Sequence, residues 1–179
     1  MEITILIFLF GGLFLGWSLG ANDAANVFGT AVGTRMVSFT SAAIVCSIFV
    51  ILGAIISGAG TTETLGKLGA INALPGAFAA CVAAGVSVYL MTKVGLPVST
   101  TQAIVGAIVG WNLYTGSSTN IQVLMTILAT WIICPILAGI IAMGLFTFTK
   151  RVILNRKLHI LRLDAYTRTA LLLAGAFGA

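Results

Sequence analysis

Gly20-Ala21-Asn22-Asp23-Ala24-Ala25-Asn26 interrupts an apolar run that opens at Ile3 and reaches Gly33. Asp23 is the costly residue in it. A carboxylate at membrane depth costs several kcal/mol, so such residues usually face a cavity and mark an ion or substrate path. The surrounding glycine and asparagines favour an unwound segment that turns backbone carbonyls and amides toward a ligand.

Working outward, composition makes a membrane the right frame. The chain is 59% hydrophobic and 7% charged, with mean hydropathy +1.14. Soluble domains carry about 25% charged residues. The expected class is therefore an all-α integral membrane protein, a polytopic helix bundle. The apolar stretches are too many and too long for a cleaved signal peptide. Cys46, Cys81 and Cys134 lie far apart within apolar segments. Without metal-ligand or CxxC spacing they read as small core hydrophobes.

The spans follow from length. A bilayer core about 30 Å thick takes about 20 apolar helical residues. Ile3–Thr34 is too long for one straight crossing and too short for two, so a break at 20–26 is expected between arms Ile3–Leu19 and Ala24–Gly33. Val37–Ser57 reads as a span and Thr61–Lys67 as a polar loop. Ile71–Met91 is the next span, with Pro75 in its first turn, where a missing amide donor is tolerated. Val98–Tyr114 is a short Gly-rich half-helix, followed by a polar loop, 115–120. Ile121–Phe148 is long, with a kink expected at Pro135.

Charge orients this arrangement. The net charge is +5, and Lys150, Arg151, Arg156, Lys157, Arg162 and Arg168 crowd one stretch with Asp164 the only acid there. A basic run can bind nucleic acid, but in a membrane protein it reads as a cytoplasmic loop, with anionic lipid as an added partner and no nucleic acid. With about five crossings before Lys150, Arg35 and Lys93 also fall inside. Glu63, Lys67 and the N-terminus then fall outside. The expected division is a transmembrane repeat over 1–149, a basic cytoplasmic loop over 150–168, and the start of a second repeat over 169–179. The expected location is the cell's inner, plasma membrane, multi-pass.

A second polar cluster answers the first. Gly95-Leu96-Pro97-Val98-Ser99-Thr100-Thr101-Gln102 leads directly into an apolar helix. Ser99 or Thr100 can cap that helix, whose N-terminus favours an anion. The hydroxyl run can donate to oxyanion atoms, although an ordinary capped helix start uses the same residues. Each cluster is followed by glycines at small-xxx-small spacing, Gly29 with Gly33 and Gly106 with Gly110. Gly12, Gly16 and Gly20 form a third such row. Such faces permit close helix packing, and two copies after polar breaks point to two half-helices meeting at one site.

Gly20–Asn26 with Phe28-Gly29-Thr30 closely resembles the signature of the inorganic phosphate transporter (PiT) family, and Pro97–Ala107 resembles that family's second motif. The resemblance covers essentially the whole chain. It implies a secondary transporter of inorganic phosphate coupled to sodium or protons, built from two inverted repeats. It maps phosphate to Ser99, Thr100, Thr101, Gln102 and Asn22, and sodium to Asp23, Asn26 and Asn22. Many members have histidine at the position of Gln102, and glutamine cannot change protonation. The chain also resembles only the first repeat. A second repeat, in the rest of a chain or another chain, is therefore an expected partner, and Gly-rich faces also allow a homodimer.

Electrostatics favours sodium beside the resemblance. The apolar spans hold no Lys or Arg to neutralise phosphate. Asp23 and phosphate are both negative, and helix N-termini supply only about half a charge each. Cations must therefore come with the anion. The expected function is sodium-coupled phosphate import, with sodium as co-substrate and no cofactor. A proton-coupled phosphate permease or a sulfate or other oxyanion permease of the same fold is the alternative. An ion channel is more remote, because the polar residues gather at two points instead of lining a pore. An enzyme is not expected. His159 is the only histidine, and Glu63 and Asp164 read as loop residues far from Asp23.

Overall fold

The structure, a computed structural model, describes residues 2–69, 74–155 and 160–178. These residues form six helices and no strand: α1 (Glu2–Gly33), α2 (Phe39–Leu68), α3 (Leu74–Lys93), α4 (Thr100–Thr115), α5 (Ile121–Asn155) and α6 (Ile160–Gly178). Four of them, α1, α2, α3 and α5, are long and apolar enough to cross a membrane. The short α4 begins near the expected half-helix start, and α5 continues as one helix through Pro135.

Three sequence expectations are corrected. First, α1 is continuous, with no break at 20–26. Ala21, Ala24 and Ala25 are strong helix formers. Asn22 and Asp23 bond to each other and to other elements, so they do not compete for their own helix backbone. Second, residues 61–67 are helical, the last turns of α2. The Thr62 and Thr64 hydroxyls donate back to the carbonyls of Gly58 and Gly60, and Glu63 pairs with Lys67 one turn on. The polar residues are thus satisfied without leaving the helix. Third, most of 150–168 is helix, divided between α5 and α6, with Asp164 paired to Arg168. Residues 70–73, Arg156, Lys157 and His159 lie outside the described residues.

Three helices close with one device. After α1, the amides of Arg35 and Met36 donate to the carbonyls of Val32 and Ala31. Gly95 and Leu96 do the same to Thr92 and Met91 after α3, and Gly116 and Ser117 to Leu113 and Asn112 after α4. This is a Schellman turn, which needs a left-handed residue at its centre. Glycine takes that place after α3 (φ 77°) and α4 (φ 69°), but Arg35 takes it after α1 (φ 59°).

Apolar packing concentrates at the two ends of α2. Near its start, Phe28, Ala31, Val37 and Ala42 form a cluster that Leu171 and Leu172 of α6 join. Gly175 of α6 lies so close to the Phe28 ring that an added Cβ would sit 2.2 Å from it. Near the end of α2, Leu68, Ala80, Val105 and Ile108 gather α3 and α4, with Ile127 and Trp131 of α5 against them. The Asn120 amide donates to the Leu68 carbonyl and seats the start of α5. Beyond that start, α5 presents apolar side chains outward, as a lipid-facing or partner-facing helix does.

Candidate functional site

The site is built on a parallel pair of helices. Phe8 meets Phe78 edge to face at 5.6 Å, Gly85 packs under Leu15 and Phe14, and Asn22 meets Thr92. These contacts recur one heptad apart on both α1 and α3, the register of a coiled-coil seam. Gly11 and Gly85 allow it, since a Cβ on either would fall 2.8 Å or less from Phe78 or Phe14. The seam ends at Thr92, where α3 stops. Residues 94–99 then turn the chain back into α4, so α3 and α4 form a helical hairpin whose tip lies beside α1.

Asn22 clasps that tip. It is buried, at 4% exposure. Its Nδ2 donates to the Val98 carbonyl at 2.5 Å and to Asp23 Oδ1 at 2.8 Å. Its Oδ1 accepts from the Val98 amide at 3.5 Å. The side-chain amide thus pairs with both sides of one backbone residue, as a neighbouring strand would. Thr100, also buried, donates its hydroxyl to Asp23 Oδ2 at 3.3 Å. Asp23 therefore holds a proton donor from each motif, one on each carboxylate oxygen.

The remaining predicted residues are placed differently. Ser99 is the N-cap of α4, and its oxygen accepts from the Gln102 amide at 3.3 Å. Thr101, Gln102 and Asn26 are exposed. The structure so brings Asn22, Asp23 and Thr100 into direct contact and leaves Ser99, Thr101, Gln102 and Asn26 at the surface around them. The glycine rows do not meet. An added Cβ at Gly12, Gly16, Gly20, Gly29, Gly33, Gly106 or Gly110 would touch nothing within 4 Å.

Two participants were not signalled by the motifs. Val98 acts through its backbone, which no side-chain pattern reveals. Thr92 reaches Asn22 at 3.4 Å and donates to its own Val88 carbonyl at 2.8 Å. The heptad spacing of Phe8, Leu15 and Asn22 against Phe78, Gly85 and Thr92 is the signal that locates it. Beside it, Lys93 rests its ammonium 5.3 Å from the centre of the Tyr89 ring, and Tyr89 packs against Trp17 of α1.

Comparison with known proteins identifies relatives of the chain. The profile of the phosphate transporter family matches residues 19–175. A Chlamydia pneumoniae protein named as a phosphate permease is 35% identical over 82% of this chain and 37% of its own length. A Thermococcus kodakarensis protein named likewise is 34% identical over 88% of this chain and 41% of its own. A Plasmodium falciparum protein named as a sodium-dependent phosphate transporter is 35% identical over 80% of this chain and 23% of its own. A solved structure of a sodium-dependent phosphate transporter superposes with a TM-score of 0.77 at 25% identity, covering 99% of this chain and 54% of that one. The chain thus spans about two fifths of the length of the first two relatives.

Proposed function

The chain belongs to the phosphate transporter family, and from that premise we propose that it imports inorganic phosphate by sodium symport across the plasma membrane. Sodium is assigned to Asp23 with Asn22 and Asn26, and phosphate to Ser99, Thr100, Thr101, Gln102 and Asn22. The observation that carries this reading is the contact of Thr100 and Asn22 with the two oxygens of Asp23 at the hairpin tip. It joins the acid of one motif to the hydroxyl run of the other. A cation on Asp23 and an anion at the start of α4 would then neighbour each other, so each lowers the cost of placing the other in a low-dielectric site. The α4 N-terminus adds a favourable partial charge for the anion.

The arrangement also supports sodium over protons as the coupling ion. Neither motif contains histidine, and Gln102 cannot change protonation. Phosphate uptake into proteoliposomes, with sodium and proton gradients imposed separately on the protein containing residues 1–179, is the test. Uptake is expected to follow the sodium gradient, with little drive from a proton gradient at fixed sodium. Robust uptake in sodium-free buffer under an inward proton gradient would make it a proton symporter. Sulfate competing as well as phosphate would make it a broader oxyanion permease.

A further inference from the structure

The C-terminal half of α5 carries a feature that the hairpin site does not use. An open groove of about 460 Å³ runs along one face of it, lined by Ile140, Met143, Gly144, Thr147, Phe148 and Arg151. Ile140, Met143 and Phe148 are exposed. An added Cβ at Gly144 would touch nothing within 4 Å, so the glycine leaves a notch in an apolar ridge. Thr147 donates its hydroxyl proton to the Met143 carbonyl at 2.8 Å. Of the lining side chains, Arg151 alone then has protons to offer, and it stands at the end of the groove.

Length and charge decide what fits. Ile121–Val152 of α5 is apolar enough to cross a membrane, and its most apolar stretch is not buried by the other helices. From Ile140 to Arg151 the helix rises about 16 Å at 1.5 Å per residue. That is the depth of one leaflet of a hydrocarbon core about 30 Å thick. A packed second helix would follow α5 along its length. A groove one leaflet deep that ends on a guanidinium instead matches one acyl chain with a phosphate above it. Guanidinium pairs with phosphate through two parallel N–H bonds. Lys150 adjoins Arg151 in sequence. The ion pairs among the described residues, Lys67 with Glu63 and Arg168 with Asp164, use neither of them. Two such cations favour a headgroup of net negative charge over a zwitterionic one.

We propose that this groove binds an anionic phospholipid of the cytoplasmic leaflet, with an acyl chain over Gly144 and the headgroup phosphate on Arg151. Basic residues favour that leaflet for this end of α5. The site is separate from the hairpin tip, and it stands whatever substrate is carried there. A lipid held in the groove fixes the depth of α5, because Arg151 cannot sink below the headgroups without losing its partner.

The test is native mass spectrometry of the purified protein containing residues 1–179, in detergent, titrated with dioleoyl phosphatidylglycerol or dioleoyl phosphatidylcholine. Parent protein, Arg151→Gln, Gly144→Phe and Arg168→Gln are compared, each checked for its unfolding temperature without lipid. The parent is expected to hold phosphatidylglycerol more tightly than phosphatidylcholine. Arg151→Gln should bind phosphatidylglycerol roughly tenfold more weakly, the effect of one lost bond to a charged group. Gly144→Phe puts a ring where the acyl chain would lie and should lose the same site. Its fold should hold, since phenylalanine is a better helix former than glycine. Arg168→Gln should bind like the parent, because that arginine already pairs with Asp164. Equal weakening in Arg168→Gln would mean diffuse attraction to the whole basic stretch and would overturn the site. So would parental binding in Gly144→Phe, or phosphatidylcholine bound as tightly as phosphatidylglycerol. Displacement of the lipid by inorganic phosphate at equal concentration would make Arg151 a free-anion site and overturn the lipid. A parent that holds no phosphatidylglycerol would mean that protein covers this face, and would overturn it as well.

Discussion

Helices α1 and α3 run side by side in one register, yet they treat the level of Asn22 and Thr92 in opposite ways. α3 stops there, and its chain turns back through Gly95. α1 continues for about three more turns to Gly33. At one level of the molecule, one strand of chain therefore offers side chains from an unbroken helix and the other offers backbone from a turn. The clasp between Asn22 and Val98 joins the two kinds of offer. A polar motif in an apolar run need not break its helix. It suffices that a neighbouring helix ends beside it and supplies the free backbone groups.

The largest expected effect tests the side-chain half of this contrast. Asp23→Asn should abolish sodium-dependent phosphate uptake while the protein remains inserted. Asparagine keeps the shape but removes the charge, and its single amide oxygen can accept from Thr100 or from Asn22 where the carboxylate accepts from both. Sodium-driven uptake near the parental rate in this variant would take Asp23 out of the mechanism.

The hairpin half is tested next. Ser99→Ala, Thr100→Val and Thr101→Val together should weaken phosphate binding, measured by calorimetry with sodium present, by several kcal/mol. Hydrogen bonds to charged groups contribute about 1.5–3 kcal/mol each and do not add fully. Among single changes, Thr100→Val should cost most, because it also strips a donor from Asp23. An unchanged phosphate affinity would return Ser99 to capping alone and Thr100 to structure.

The clasp itself comes third. Asn22→Ala leaves the Val98 carbonyl and amide without their side-chain partner. A loss of about 1–3 kcal/mol in stability is expected. It should appear as a lower unfolding temperature in sodium-free detergent, where no ion contributes. A stability equal to the parent's would mean that the hairpin tip is held by the seam and by the apolar packing of α4, not by Asn22.

Much of the fold was legible from residue pattern. The long apolar runs and the half-helix start at Ser99 are local properties, set by span length and by capping chemistry. Residues 61–67 are polar enough to read as a loop, but polarity alone does not say where each polar group can bond. Thr62, Thr64, Glu63 and Lys67 each find a partner one turn away. The break at 20–26 failed for a related reason: the partners of Asn22 and Asp23 are distant in sequence, so no local reading shows that the helix can stay whole. The glycine rows misled because close packing falls on Gly11, Gly69, Gly85 and Gly175 instead. Spacing permits a close approach but does not choose which row is used. Of the site, Asn22, Asp23 and Thr100 were visible as polar residues in apolar surroundings. Thr92 needed the α1–α3 register, which only the packing supplies, and Val98 acts through backbone groups that no side-chain pattern marks.

The smallest effect concerns how the two parallel helices end. Both close with the same pair of backbone bonds, but α3 places glycine at the left-handed position and α1 places Arg35 there. A side chain in that conformation costs about 1–2 kcal/mol relative to glycine's free access. Glycine in turn loses more conformational entropy on folding, roughly 0.5–1 kcal/mol. Arg35→Gly should therefore raise stability slightly, by about 0.5–1 kcal/mol, while Gly95→Ala should lower it by about 1 kcal/mol or more. The two variants, compared by thermal unfolding in one detergent, should move in opposite directions. We propose a separate rationale for arginine at a place that favours glycine: a positive charge after a span favours the cytoplasmic side for that end. Orientation should then suffer where stability gains. Protease accessibility of the 34–38 turn in membrane vesicles would show a fraction of Arg35→Gly molecules inverted, and none of Gly95→Ala. Destabilisation by Arg35→Gly would instead mean that the arginine side chain contributes contacts that outweigh its strained backbone.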